Sequence, residues 1–167
     1  YFARLNANGT LDTPNLSLNG TVYTIVILPD HKVIITGDFT QVLGVPRNRI
    51  ARLNADLTLD TSFNPNANNR VYACSLQQDG KIVIGGSFTT LQPPGAPAPV
   101  TRNRIARLNA NGTLDSSYDP NLNSELYTML LQPDGKLLIG GAFSTTQANG
   151  AASPTNRQFL ARLNTDG

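Results

Sequence analysis

Ala106-Arg107-Leu108-Asn109 is written four times in this chain, with the other copies at Ala3-Arg4-Leu5-Asn6, Ala51-Arg52-Leu53-Asn54 and Ala161-Arg162-Leu163-Asn164. Successive copies start 48, 55 and 55 residues apart. A period of this size marks a solenoid, a propeller or an array, in which each repeat is one supersecondary unit that buries its apolar faces only against its neighbours. It also directs the search for function. A letter that recurs serves the fold, so functional candidates lie where the copies differ.

Working outward, three segments align in every repeat. The first is apolar: Val22 to Leu28, Val71 to Gln77 and Leu126 to Gln132. Each runs into a turn, Asp30-His31, Asp79-Gly80 or Asp134-Gly135. Asp-Gly between apolar runs predicts a tight hairpin of type I′, and His31 stands where positive φ is tolerated at some cost. A second strand follows at once, as in Lys81-Ile82-Val83-Ile84-Gly85-Gly86-Ser87-Phe88. Both strands are continuous apolar runs, which predicts cover on both faces. The third strand, Arg104 to Asn109 and its equivalents, alternates apolar and polar letters as an outer strand does. After a turn (Asn8-Gly9, Asp56-Leu57, Asn111-Gly112) comes a short fourth strand, Thr10 to Asp12, Thr58 to Asp60 or Thr113 to Asp115. The expected fold is all-β, a β-propeller section of about three four-stranded antiparallel blades of kelch-like length. The chain reads as a single repeat domain, 1–167, with blades at 22–60, 71–115 and 126–164. Residues 1–12 then supply the outer strands of a preceding blade.

Asp79 to Phe88, taken together with Arg104 to Asp115, resembles the delta-60 repeat, a propeller-type repeat of large bacterial secreted and surface proteins. The likeness covers nearly the whole chain. It implies a propeller fold and a secreted or cell-surface bacterial setting. Three blades are too few to close a ring of roughly 4–8. The expected partners are therefore proteins, either copies of this chain or further blades of a longer one. The absence of an initiator Met at Tyr1 fits a section of a longer array.

Composition narrows the function classes. Charged residues are 14% of the chain and the net charge is +2. All basic residues except Arg70 stand at repeat positions, so no nucleic-acid surface is expected. No apolar run approaches the roughly 18 residues of a membrane span, so no insertion is expected either. The single cysteine, Cys74, sits in an apolar stretch and reads as a buried, inert thiol. Catalysis has little to work with. There is one histidine, one cysteine and one glutamate, Glu125, and a Ser-His-Asp relay would have to use His31 at a hairpin tip. The expectation is no enzyme and no cofactor.

Several repeat residues carry chemistry worth weighing. Arg4, Arg52 and Arg107 lie opposite or diagonal to Asp12, Asp60 and Asp115 across the short outer hairpin, which predicts structural ion pairs. Arg47, Arg102 and Arg157 also recur, as a fold role requires. Lys32, Lys81 and Lys136 follow hairpin turns and are expected in solvent. Asn6, Asn8 and Asp12, with Asn109, Asn111 and Asp115, place oxygen atoms around a turn and are weak Ca²⁺ candidates. A hard cation prefers more carboxylates, and Asx-turn chemistry accounts for the same letters.

The copies differ most in the loop between the second and third strands, short at Thr40 to Pro46 but long at Thr89 to Thr101 and Ser144 to Thr155. Insertions of this kind map to one face, either as a binding surface or as spacers. Candidates on that face are Leu91, Gln92, Gln147 and Asn149. Phe63 and Tyr118, in the blade connectors, are the expected aromatic platform of the alternative reading, a glycan-binding propeller. Tyr23, Tyr72 and Tyr127, like Phe39, Phe88 and Phe143, recur and are assigned to the core. The leading expectation is a rigid scaffold for protein–protein contacts or extracellular assembly.

Overall fold

A computed structural model describes residues 3–12 and 16–167. Tyr1, Phe2 and residues 13–15 lie outside it, and with them the start of the first connector. Three equivalent sheets follow one another. Blade one is β1 (Val22–Ile27), β2 (Val33–Gly37) and β5 (Ile50–Leu53), in the order β1-β2-β5. Between β2 and β5 lies a small hairpin, β3 (Gln41–Val42) with β4 (Val45–Pro46). Blade two repeats this as β6 (Val71–Leu76), β7 (Ile82–Gly86), β8 (Thr90–Leu91), β9 (Val100–Thr101) and β10 (Ile105–Leu108). Blade three does so as β11 (Leu126–Leu131), β12 (Leu137–Gly141), β13 (Thr145–Thr146), β14 (Thr155–Asn156) and β15 (Leu160–Leu163). All pairings are antiparallel. Inner strand β6 lies between β1 and β11, as stacked blades around one axis require.

The fourth strand is shorter than its letters suggest. It is reduced to one bridge in each copy: Leu5 with Leu11, Leu53 with Leu59, Leu108 with Leu114. The Asn54 amide donates to Thr58 O and the Asp60 amide to Arg52 O, after which the chain turns away. The sheets are thus three-stranded with a single-bridge fourth edge.

The hairpin turns also differ from type I′. Gly80 has φ 80°, while Asp79 is not in the left-handed region, and the Gly80 amide donates to Gln77 O as the Gln77 amide does to Lys81 O. This is a type I turn closed by one left-handed residue, the three-residue hairpin loop. One left-handed position suffices, so His31 (φ 65°) and Leu57 (φ 67°) can stand where the other copies use glycine.

The core lies between sheets. Ile34 and Ile50 of blade one pack with Cys74, Ile82, Ile84, Ala106 and Leu108 of blade two. Ala73, Val83 and Ile105 of blade two pack with Leu137, Ile139, Ala161 and Leu163 of blade three. Alternate residues of one strand therefore serve opposite interfaces, and this explains the continuous apolar runs. In the middle blade β7 is wholly buried, whereas β1 exposes alternate residues and β11 exposes Tyr127, Thr128 and Leu130.

The variable loops do not hang free. Asn68 Oδ1 accepts the Thr89 and Thr90 amides at 2.9 and 3.1 Å, and its Nδ2 donates to Thr89 Oγ1. Asn19 and Asn123 repeat the device on the Thr40–Gln41 and Ser144–Thr145 amides. Each connector is thereby pinned to the small hairpin above it.

Candidate functional site

The outer hairpins carry the densest ionic chemistry. Arg52 Nε donates to Asp60 Oδ2 at 2.9 Å, and Arg107 Nε to Asp115 Oδ2 at 2.9 Å. Arg4 pairs with Asp12 in a more exposed setting. The guanidinium of Arg52 lies 4.5 Å from the Phe63 ring centroid, and that of Arg107 lies 4.3 Å from Tyr118. Each arginine then reaches forward to the next blade. Arg4 Nη1 donates to Ala55 O, Arg52 Nη1 to Ala110 O and Arg107 Nη1 to Thr165 O. The recurring arginine is a clasp, with its own carboxylate on one side and the neighbour's turn carbonyl on the other.

This corrects two expectations. Phe63 (0% exposed) and Tyr118 (1%) are buried beneath the clasp and offer no platform. Lys81 Nζ is 2.9 Å from Asp115 Oδ2, and Lys32 Nζ is 3.4 Å from Asp60 Oδ2, so these lysines join the clasp rather than stand in solvent. In Lys136 the partner is Asp134, at 3.4 Å. A third correction concerns Leu91, which is fully buried and bridges to Ala67 of the connector.

The Ca²⁺ candidates are occupied by the fold's own bonds. Asn8 Oδ1 accepts the Thr10 amide at 3.1 Å and Oγ1 at 2.7 Å, and Asn6 Nδ2 donates to Thr10 Oγ1. Asn109 and Asn111 do the same with Thr113. Asp12 and Asp115 serve arginine. Among the described residues no three His, Cys, Asp or Glu side chains are grouped as a metal would need.

On the loop face the Gln92 amide donates to Pro65 O, and the Gln147 amide to Pro120 O. Gln147 Nε2 donates to Ala151 O, closing its own loop. Exposed Asn149 reaches back to Ser116 O and Ser117 O at 3.4 Å. A polar cleft of about 300 Å³ opens between Asn103, Asn121, Thr145 and Gln147. Asn103 Nδ2 donates to Asn121 Oδ1 there, just as Asn48 does to Asn66 one blade earlier. The feature recurs and belongs to the blade joint.

The buried clasp carboxylates Asp60 and Asp115 are held below the ordinary carboxylate range. Burial opposes the charge of Asp60. It is outweighed by the Ser62 hydroxyl, the Arg52 guanidinium and the Ser62 amide, and the carboxyl falls from 3.8 to about 2. Asp115 is likewise held well below the usual range. Its burial penalty is overcome by Ser117, Lys81 and Arg107. A folded-state pKa below the unfolded value means that the unfolded chain takes up protons first. The stabilisation is complete above about pH 4 and is lost as pH falls toward about 2. Urea midpoints are expected to stay level from about pH 7 to 5 and to drop steeply between about pH 4 and 2. Asp60→Asn should remove part of that drop.

The second concentration of chemistry is on the inner strands, at positions first assigned to the core. Tyr23 (41% exposed) and Tyr127 (51%) lie at the surface, with Tyr72 half-buried between them. Ring centroids are 5.3 Å apart for Tyr23–Tyr72 and 5.7 Å for Tyr72–Tyr127, tilted and edge-on. A bulge at this point in each inner strand, between Val71 and Ala73 in blade two, turns the tyrosine out of the blade interface. Two residues before each tyrosine the letters diverge: Thr21, Arg70, Glu125. Arg70 Nε donates to Asp38 Oδ2 at 2.9 Å across the blade one–two joint, and Arg49 binds the other Asp38 oxygen. Ser87 Oγ donates to Glu125 Oε1 at 2.6 Å across the next joint and lies 3.2 Å from Tyr72 Oη. The Ser87 bond outweighs a small burial penalty and lowers the Glu125 pKa.

Residues 1–13, 28–63, 77–118 and 132–167 match a family model described as a domain of unknown function (DUF5122) beta-propeller. The chain belongs to that family. No curated protein matches it. In this DUF5122 propeller the matched segments hold every clasp residue from Arg4 to Tyr118. They leave out 14–27, 64–76 and 119–131, which contain β1, β6 and β11 with the tyrosine row, Arg70 and Glu125.

Proposed function

We propose that this propeller section is a non-enzymatic scaffold that works by protein–protein contact, and that blade three joins a further blade of the same repeat, supplied by a longer chain or by a second copy. The observation that carries the reading is the state of equivalent residues. Val26, Ile34 and Ile50 of blade one face forward into blade two, and Ile34 and Ile50 are fully buried. Their equivalents in blade three are Leu130, Leu138 and Leu160, and Leu130 is 64% and Leu160 65% exposed. On the opposite end Ile25 (50%) and Ile27 (69%) are exposed, where blade two buries Cys74. The two open faces are thus copies of surfaces that already fit one another twice within the chain. Arg162 stands where Arg52 and Arg107 donate to a neighbour's turn. In such a joint the hairpin of residues 3–12 from one copy and β15 of the other contend for one outer position, and one of them yields.

Further support for a role without chemistry comes from Cys74 and His31. Burial pushes the Cys74 thiol up to about 12, beyond nucleophilic use. His31 is a left-handed turn residue. The delta-60 likeness supports a bacterial secreted or cell-surface setting. The test is light scattering over a concentration series. Association is expected in the wild type, and Leu130→Asp with Leu160→Asp should weaken it at least about 100-fold, given about 1.5–3 kcal/mol per buried leucine. A wild-type chain that stays monomeric at millimolar concentration would remove the self-contact reading.

A further inference from the structure

We propose that the tyrosine row Tyr23–Tyr72–Tyr127, flanked by Arg70 and Glu125, is a binding site for a neutral oligosaccharide laid across the three inner strands. Four observations lead to it.

The rings are large and apolar on their faces, Tyr23 and Tyr127 are exposed with Tyr72 half-buried between them, yet they recur. The blade interfaces bury mostly Ile, Leu, Val and Ala with recurring Phe, and the bulge in each inner strand removes Tyr23, Tyr72 and Tyr127 from that packing. Tyrosine supplies rigid amphipathic contact area with little conformational entropy to lose. The C–H face of a pyranose is a flat apolar surface rimmed by hydroxyls, and it matches a ring whose own rim carries a hydroxyl.

The second observation is a fixed backbone bearing variable chemistry. A Cβ on Gly37, Gly86 or Gly141 would collide with the carbonyl oxygen of Thr21, Arg70 or Glu125 respectively. The main chain at the variable position is therefore held in the same place in each blade, while its side chain changes from hydroxyl to guanidinium to carboxylate. Arg70 and Glu125 each bridge a blade joint, to Asp38 and Ser87, and so present different chemistry beside the tyrosine row from one joint to the next. Arg70 is the one basic residue outside the repeat pattern, and Glu125 is the one glutamate. Both flank Tyr72.

Third, both charged groups already have partners where they stand, Arg70 in its pair with Asp38 and Glu125 in the hydrogen bond it accepts from Ser87. A charged peptide or polyanion would have to break these bonds to gain its own. Sugar hydroxyls can add to them, because each donates and accepts and each charged group has capacity left: Arg70 keeps further N–H donors and Glu125 a second oxygen. The ligand class favoured is thus polyhydroxylated and uncharged.

Finally, the segments outside the family match are those that carry this row. These strands also build the blades through Val71, Ala73, Cys74 and Leu126, and the tyrosine is the residue that the bulge leaves outside that packing.

The test uses the whole chain and four probes, the β-1,4-linked hexaoses of glucose, N-acetylglucosamine and xylose and the α-1,4-linked hexaose of glucose, titrated by calorimetry and by tyrosine fluorescence. At least one is expected to bind and to quench emission. Tyr127→Ala, at an exposed position that leaves the core intact, should weaken binding about tenfold, the loss of one stacked ring. Glu125→Gln, which keeps the shape but removes the charge, should weaken it several-fold. Circular dichroism unchanged in both variants separates these losses from unfolding. The proposal is overturned if none of the four binds at millimolar concentration. Unaltered binding in Tyr127→Ala, or binding only to a sulfated oligosaccharide or an acidic peptide run alongside, would overturn it too.

Discussion

Arg107→Ala is expected to cost about 3–5 kcal/mol, the cost of breaking a buried pair by removing one partner. Arg107 is 6% exposed, and it holds Asp115, the Tyr118 face and the Thr165 carbonyl at once. Without it the Asp115 carboxylate keeps Lys81 and Ser117 but loses its buried cation, and the joint to blade three loses a bond. For a chain of this length the melting temperature should fall on the order of 10 °C. The chain contains its own control. Arg4 makes the equivalent pair with 43% of its side chain exposed, and Arg4→Ala should cost only about 0–1 kcal/mol. Arg107→Met combined with Asp115→Leu should lose less than Arg107→Ala alone, since no carboxylate is stranded and Lys81 can turn to solvent. Urea unfolding of the four proteins measures all of this. Equal losses at Arg4 and Arg107 would show that burial is not what gives the clasp its weight.

Gly86→Ala should be at least as damaging, about 3 kcal/mol or more, for a different reason. The added methyl would strike the Arg70 carbonyl oxygen and lie 2.9 Å from Val71 Cα. Both obstacles are main chain of β6 and the residue before it, so relief requires the inner hairpin to open. Gly95→Ala is the comparison. Gly95 has φ 83° with nothing within 4 Å of the new atom, so only the left-handed conformation of alanine opposes it, at roughly 1–2 kcal/mol. If the two substitutions shift the urea midpoint alike, the close approach at Gly86 is not a constraint.

The blade was legible because its signals agree. Turn letters, apolar runs and the Gly-Gly pair recur together, and each has a local physical cause. What escaped was depth. Tyr23, Tyr72 and Tyr127 sit in strands whose neighbours are core, and periodicity cannot show that a bulge swings one residue out of register. Phe63 and Tyr118 depart from expectation in the opposite direction, although the sequence carries a signal for it. Asp60-x-Ser62-Phe63 and Asp115-x-Ser117-Tyr118 recur at equal spacing, and that recurrence marks them as parts of the fold. A lysine after a hairpin turn ordinarily stands in solvent, which is what the sequence predicts for Lys32 and Lys81. Their reach to Asp60 and Asp115 depends on how the outer hairpin folds back, which is a tertiary fact. That the variable loops are tied down is not legible in the sequence, because the asparagines that hold them, Asn19, Asn68 and Asn123, are distant in the chain from the amides they bind.

In all three clasps the acceptor on the far side is a peptide oxygen, at Ala55, Ala110 and Thr165. A main-chain acceptor is present whatever residue occupies the position, so one unit can engage the next without the two having co-adapted. Duplicating, deleting or reordering units would leave each new junction chemically ready, and an array could change its length by copying alone.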